Sequence, residues 1–417
     1  MEDGQASQHA EFGGFLFTAF EPSGDDHAAA VIAELRRRHP TIPIYAWGGS
    51  KMAAAGATVI EHTGEDAVMG MPGLAKIIEH QKINRRLAEW LDEKIARLGH
   101  TRLIHVPVDS PGAHFPICKI TKARGLKVVH LVAPQIWAWA SWRISKLRRL
   151  TNLVLCLLPF EEDWFLSRGV PARFIGHPLF DEPLHVAELE QRAAAFGEGS
   201  PKLALMPGSR PSEISGSLPA LLDAFRRLRQ DFPGTTGVVA ATKPHVADWI
   251  LRLADERAGG WPDGLKMAVA DTDAVVRWCD FALVVSGTVT LQIAKQRKPM
   301  VAMYRPNRLV YNLLGRWLVS TPYFTLPNLI AGKRILREFI PHFGGGEDLA
   351  VEVIRLLRQP GYADDQRLEL DRVVKRFDGR VAAKAAADAI ESLAGLRSPS
   401  GAPDAGPAPA PDLSHSA

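Results

Sequence analysis

Short, continuous apolar runs alternate along this chain with longer stretches whose apolar residues recur every three or four positions. The runs fall at 15–19, 42–46, 103–108, 128–133 and 153–158, then at 203–206, 238–241, 267–270, 281–285 and 300–304. A strand with one wet face alternates apolar and polar residues. An unbroken apolar run is expected of a strand covered on both faces. Stretches 25–39, 74–98, 141–150 and 213–231 carry the helical period. Alternating strand and helix predict parallel, doubly wound α/β sheets.

An acidic, Pro-bearing stretch from about 180 to 201 separates two such halves. The chain's 417 residues exceed one ordinary core, so two domains are expected. The reading is an α/β protein with two Rossmann-like domains, 1–180 and 201–345, facing a central cleft. Helices follow over 346–396. The tail 397–417 is rich in Pro, Ala, Gly and Ser and is predicted to be disordered, because it has too little apolar surface to offset chain entropy.

Composition narrows the partners. A net charge of +4 leaves no broad basic footprint, and no nucleic-acid partner is expected. Cys118, Cys156 and Cys279 show no metal spacing and read as reduced thiols of a cytosolic protein. Residues 1–11 are polar and unlike a signal peptide. No apolar run reaches the roughly 18–20 residues that span a bilayer, so any membrane contact is expected to be peripheral.

Two stretches suit such contact. Met69-Gly70-Met71-Pro72-Gly73-Leu74 leads into a helix with Lys76, Lys82, Arg85 and Arg86. Ile136-Trp137-Ala138-Trp139 and Trp142 precede Arg143, Lys146, Arg148 and Arg149. Aromatic and basic residues together fit an anionic lipid surface. A core helix with a solvated basic face fits the same pattern.

In doubly wound sheets ligands bind at the carboxyl ends of strands. The run 203–206 ends in Pro207-Gly208-Ser209-Arg210, and a helix opens after it. Free N–H groups at a helix start attract anions, and the Arg guanidinium matches phosphate oxygens. An ordinary turn with a solvated Arg has the same sequence. After 281–285 comes Ser286-Gly287-Thr288-Val289-Thr290, small and hydroxyl-bearing, fit for a phosphate or ribose or simply a capped helix. After 15–19 comes Glu21-Pro22-Ser23-Gly24-Asp25-Asp26, where Ser23 or Asp25 fits a ligand contact or a helix cap. After 103–108 comes Asp109-Ser110-Pro111-Gly112, where Asp109 fits a general base or an N-cap. His177, before the linker, fits a hinge or a ligand contact. The chain has no Walker A loop, dinucleotide GxGxxG, HExxH or GxSxG.

These segments, taken in order, resemble the bacterial lipid-A-disaccharide synthases, glycosyltransferases of the GT-B type. The resemblance rests on Glu21-Pro22-Ser23-Gly24-Asp25, Gly48-Gly49 with Met52, Ala67-Val68-Met69-Gly70 and Ala133-Pro134-Gln135-Ile136-Trp137-Ala138-Trp139. It continues through Leu158-Pro159-Phe160-Glu161, Phe174-Ile175-Gly176-His177-Pro178, Pro207-Gly208-Ser209-Arg210, Ser286-Gly287-Thr288 and Leu326-Pro327-Asn328-Leu329. It spans nearly all of the chain before the tail.

The resemblance implies transfer from UDP-2,3-diacylglucosamine to 2,3-diacylglucosamine 1-phosphate, releasing UDP with inversion and without a metal or other cofactor. It implies work at the inner face of the cytoplasmic membrane. It places the nucleotide on the C-terminal domain, at Gly208, Ser209, Arg210, Ser286, Gly287, Thr288 and Gln292. Glu21, Ser23, Asp25, Met69 and Asn328 would contact sugar or acceptor, and Asp109 would take the proton of the acceptor's 6-hydroxyl. Five positions, in three places, depart from the family pattern. Gly112-Ala113-His114 replaces Asp-Phe-Asn, Gln292 replaces a Glu, and Pro341 replaces a Gln. The departures leave a second reading beside the active transferase, a catalytically weakened paralogue that binds UDP-sugar or glycolipid. A UDP-sugar epimerase fits the Met69 and Trp137 segments less well. The acyl-chain length, the true acceptor and the choice between monomer and homodimer are not legible.

Overall fold

The computed structural model describes residues 12–63, 73–99, 102–306 and 321–396. The chain divides into two compact units, one of residues up to Val129 with those from Ala386 onward, the other His130–Ala385.

The first unit carries β1 (Gly14–Thr18), β2 (Ile44–Gly48), β3 (Thr58–His62), β4 (Leu103–Pro107) and β5 (Lys127–Leu131). They pair in the order β3-β2-β1-β4-β5, all parallel. β1 and β4 are buried at every position, which is why both read as unbroken apolar runs. β3 escaped the sequence pattern because it is an edge strand, alternately exposed and half-buried. Leu16, Trp47, Leu87, Leu91, Leu103 and Ile117 join in this unit's core.

The second unit carries a parallel pair, β6 (Leu153–Cys156) and β7 (Ala172–Phe174). Its main sheet holds β8 (Lys202–Met206), β9 (Thr236–Ala241), β10 (Leu265–Val269), β11 (Phe281–Val285), β12 (Met300–Met303) and β13 (Glu338–Phe339). The order is β10-β9-β8-β11-β12-β13, again all parallel. Alternate residues serve opposite cores. Leu203, Leu205, Leu283 and Val285 pack with helices Pro211–Asp231, Pro244–Arg257 and Glu347–Arg358. Ala204, Met206, Ala282 and Val284 pack with Thr272–Trp278, Val289–Lys295 and Pro360–Lys375. Both faces being covered accounts for the apolar runs.

The unit boundary differs from the one expected near residue 180. Trp137, Leu158 and Phe174 belong to the second unit's core, so the segment from His130 goes with it. The helix Ala382–Ala394 carries the chain back into the first unit. There Arg38, 6% exposed at its side chain, pairs with Glu391 at 2.9 Å and Asp388 at 2.5 Å. His39 meets the same Glu391 at 2.9 Å, and Arg38 also meets Glu34 at 2.8 Å.

Candidate active site

In an open parallel sheet, a crevice forms where neighbouring strands are followed by crossovers in opposite directions. The strand order puts that point between β8 and β11 in the second unit and between β1 and β4 in the first. The four loops singled out in the sequence follow these four strands.

After β8 and β11, Arg210 and the Ser286-Gly287-Thr288 turn line one cavity of about 430 Å³. That volume lies within the roughly 300–1,000 Å³ of small-molecule sites. Gln135, Trp137, Ala138 and Trp139 form another part of its wall, and Thr321, Tyr323, Phe324, Leu326 and Leu329 complete it. The Arg210 side chain is 80% exposed and 3.3 Å from Glu213, so its guanidinium is open to an incoming anion. The backbone is less free than the sequence suggests. The N–H groups of Ser209 and Arg210 both donate to the Glu213 carboxylate at 3.2 Å. Gly208 adopts φ +101°, and a Cβ there would meet Glu213 at 2.8 Å, so glycine is required. A Cβ on Gly287 meets nothing within 4 Å, so the space beside it is open, while its carbonyl accepts the Thr290 N–H at 3.1 Å and hydroxyl at 2.7 Å. Ser286 donates its hydroxyl to the Phe324 carbonyl at 3.0 Å and so holds the wall. Gln292 is half-buried on the helix Val289–Lys295 and does not line the cavity.

After β1 and β4, the hydroxyl of Ser110 donates to the Glu21 carboxylate at 2.8 Å. Asp109 and Ser110 are successive left-handed residues, φ +55° and +38°. Non-glycine residues in such conformations store roughly 1–3 kcal/mol each and cluster at functional sites. His114, the departure from the family pattern, fastens this strained turn. It is fully buried, its Nδ1 faces the Asp109 and Ser110 carbonyls at 2.9 and 3.1 Å, and its Nε2 faces the Thr18 carbonyl at 2.9 Å. Burial pushes its pKa down to about 4, against the pull of those carbonyls. Burial raises the Asp109 carboxyl above its ordinary value; the Ser110 N–H opposes this, Glu21 adds to it, and His27 opposes it. A carboxylate raised in this way is a better proton acceptor.

The capping alternatives are overturned. The helix Pro22–Arg38 has Glu21 at its N-cap, with Ser23 and Asp25 inside its first turn. Asp25 instead reaches across to the start of the helix Ser50–Ala54 and accepts the N–H groups of Gly49, Lys51 and Met52 at 2.9, 3.1 and 3.3 Å. Asp109 precedes Ser110, the N-cap of the helix Pro111–Ala123. Ser23 is exposed. Asn328 is fully buried, and its amide is taken up by the backbone of Ile335 and Leu336 at 2.8–3.0 Å, so its place in the structure is internal. Met69 lies outside the described residues.

Two carboxylates that sequence reasoning missed, Glu161 buried and Glu338 half-buried, shape the cavity. Glu338 accepts the Thr325 N–H at 2.7 Å, its hydroxyl at 2.6 Å and the Phe324 N–H at 3.2 Å, fixing the aromatic wall. Glu161 accepts the Trp137 indole N–H at 2.9 Å. Glu161 stands in a segment that carried the resemblance and Glu338 stands just before the departure at Pro341, but nothing in their spacing pointed to the wall.

The two doubly wound units define the chain's class as a GT-B fold. The fold is shared with UDP-GlcNAc 2-epimerase from Neisseria meningitidis bound to UDP-GlcNAc, at a TM-score of 0.57 and 14% identity over 91% of this chain and 98% of that one. It is shared too with Acinetobacter baumannii MurG, at a TM-score of 0.53 and 13% identity over 91% and 99%. The family model for lipid-A-disaccharide synthetase matches residues 15–385. Lipid-A-disaccharide synthase of Trichlorobacter lovleyi is 32% identical over 91% of this chain and 97% of its own length. That of Pseudomonas putida is 34% identical over 88% and 96%. The chain belongs to the lipid-A-disaccharide synthase family and is a glycosyltransferase of that family. The weakened-paralogue reading finds no support in these matches.

Proposed function

We propose that this protein joins UDP-2,3-diacylglucosamine to 2,3-diacylglucosamine 1-phosphate, giving the lipid A disaccharide and UDP. The observation that carries the reading is the convergence of Arg210 and the Ser286-Gly287-Thr288 turn on one cavity at a sheet's switch point. The donor's UDP occupies that cavity in this reading, with Arg210 against the diphosphate. Asp109 takes the proton of the acceptor's 6-hydroxyl as that oxygen bonds to the donor's C1. The bond from C1 to the UDP oxygen breaks on the opposite face, which inverts the centre. Charge grows on the departing diphosphate, where preorganised donors have most effect. Glu21 and Ser23 belong to the acceptor side, and Gln292, which does not line the cavity, is left out of the donor contacts.

The acylated substrates also imply an anionic membrane surface, the inner face of the cytoplasmic membrane. Among the described residues no helix is long and apolar enough to cross a bilayer. In the second unit Trp139 and Trp142 are 46% and 62% exposed, beside Arg143, Lys146 and Arg149. In the first unit Ile77 and Ile78 are exposed on the helix Gly73–Leu98.

Incubation with both glycolipids tests the reaction, with disaccharide and UDP expected in equal amounts. A folded protein that binds UDP but yields neither would favour the weakened paralogue. Sedimentation with anionic vesicles tests the surface. Binding should fall as salt rises. Sedimentation without vesicles separates monomer from homodimer.

A further inference from the structure

The wall segment from Pro134 to Ala140 has neither helix nor strand to hold it. It turns through Ile136 N–H to the Pro134 carbonyl at 2.7 Å and Ala138 N–H to the Gln135 carbonyl at 3.1 Å, then ends on Ala140 at φ +62°. Trp137 is 7% exposed and stands in this segment, with Phe160 edge-on to its ring at 4.9 Å. A segment of this kind takes its shape from side-chain ties.

Glu161 is such a tie. It is 2% exposed, on the first turn of the helix Pro159–Leu166. One carboxylate oxygen accepts the Trp137 indole N–H at 2.9 Å, and the other accepts the Leu158 N–H at 3.0 Å. A Glu or a Gln at this helix position can receive the N-cap N–H. A Gln has one acceptor oxygen, and its amide nitrogen would meet the indole donor with another donor. Only a carboxylate answers both N–H groups. No Lys or Arg pairs with it among the described ion pairs, and burying an unpaired carboxylate is costly. A group kept at such cost for two hydrogen bonds fixes the position of something that matters.

We infer that Glu161 is a positioning residue which fixes the Trp137 ring as a wall of the nucleotide-sugar cavity and thereby sets how tightly the donor is held. The inference rests on the reading of that cavity as the donor site. Its effect falls on donor affinity and KM rather than on kcat, because Glu161 touches Trp137 and not the reacting atoms.

Calorimetric titration with UDP at pH 8, where the Glu161 carboxyl is ionised, tests it on the wild type, Glu161→Gln, Trp137→Phe and the double variant. Glu161→Gln should raise the UDP Kd about tenfold, the scale of one hydrogen bond to a charged group. Its KM for donor should rise with kcat within about twofold. Trp137→Phe removes the opposing donor, so adding Glu161→Gln to it should change Kd little further. A wild type that does not bind UDP would overturn the donor-site reading itself. A wild type that binds UDP, with a folded Glu161→Gln of equal affinity, overturns this inference alone, as does a fall in kcat at constant KM. Should Glu161→Gln fail to fold, Trp137→Phe decides: wild-type affinity in it overturns the inference, and a raised Kd supports it.

Discussion

At the scale of single residues, Asp109 combines a strained backbone with a carboxyl whose affinity for protons is raised. Asparagine tolerates the left-handed conformation as well as aspartate does, so Asp109→Asn isolates the charge. The variant should lose about 10²–10⁴-fold in turnover, the range of general-base catalysis, with its melting temperature nearly unchanged and its UDP affinity intact. Near-normal turnover would remove Asp109 from the base role. Glu161 gives a second residue-scale expectation, this time in pH. Burial moves its pKa from 4.5 to about 7, so between these values the folded state holds a proton that the unfolded chain has lost. Its contribution therefore favours folding most below about pH 4.5, falls as pH rises to about 7, and is constant above. Glu161→Gln has no such limb. Denaturant titrations at pH 5 and pH 8 should show the stability of the variant relative to wild type rising with pH, by on the order of 3 kcal/mol at most. Parallel curves would mean an ordinary carboxyl.

At the scale of elements, Asp25 shows one helix supplying the cap of another. Its carboxylate serves three N–H groups at the start of Ser50–Ala54, a helix too short to stand alone. Asp25→Ala should cost about 1–3 kcal/mol, read as a lower denaturant midpoint at constant slope. A change in ligand affinity without loss of stability would return Asp25 to the acceptor site. The same element shows where the sequence was legible. The central strands and the loops after them could be read because both faces are apolar and because Gly, Ser and Arg mark a turn that opens a helix. Asp25 stands in the stretch after β1 that the sequence marks, but inside a helix, and its partners lie 24–27 residues away where no local rule reaches. Glu161 meets Trp137 across 24 residues, and Glu338 meets Thr325 across 13. Such ties form only when the crossovers have closed. β13, two residues long, gives too little pattern to read.

At the scale of the molecule, the first unit is closed by the helix Ala382–Ala394. Arg38 and His39 both meet Glu391, whose side chain is 1% exposed. Removing one partner of a buried pair typically costs about 3–5 kcal/mol. Arg38 keeps Glu34 and Asp388, so Glu391→Ala should fall near the lower end, about 3 kcal/mol, with little dependence on salt. Thermal unfolding in low and high salt measures both. A loss that disappears in high salt would make the network a surface feature.

That closing contact also bears on synthesis. Arg38 and Glu391 are 353 residues apart, and a ribosome adding about 5–20 residues per second separates their arrival by on the order of tens of seconds. Through that interval the nascent first unit has its sheet strands but not the carboxylate that Arg38 and His39 meet. It should be held open for chaperones and proteases until the helix Ala382–Ala394 has left the ribosome. Nascent chains stalled before residue 386 should be cut readily within residues 12–129, and chains released after residue 396 should resist. Equal resistance would show that the first unit folds without waiting for its last helix.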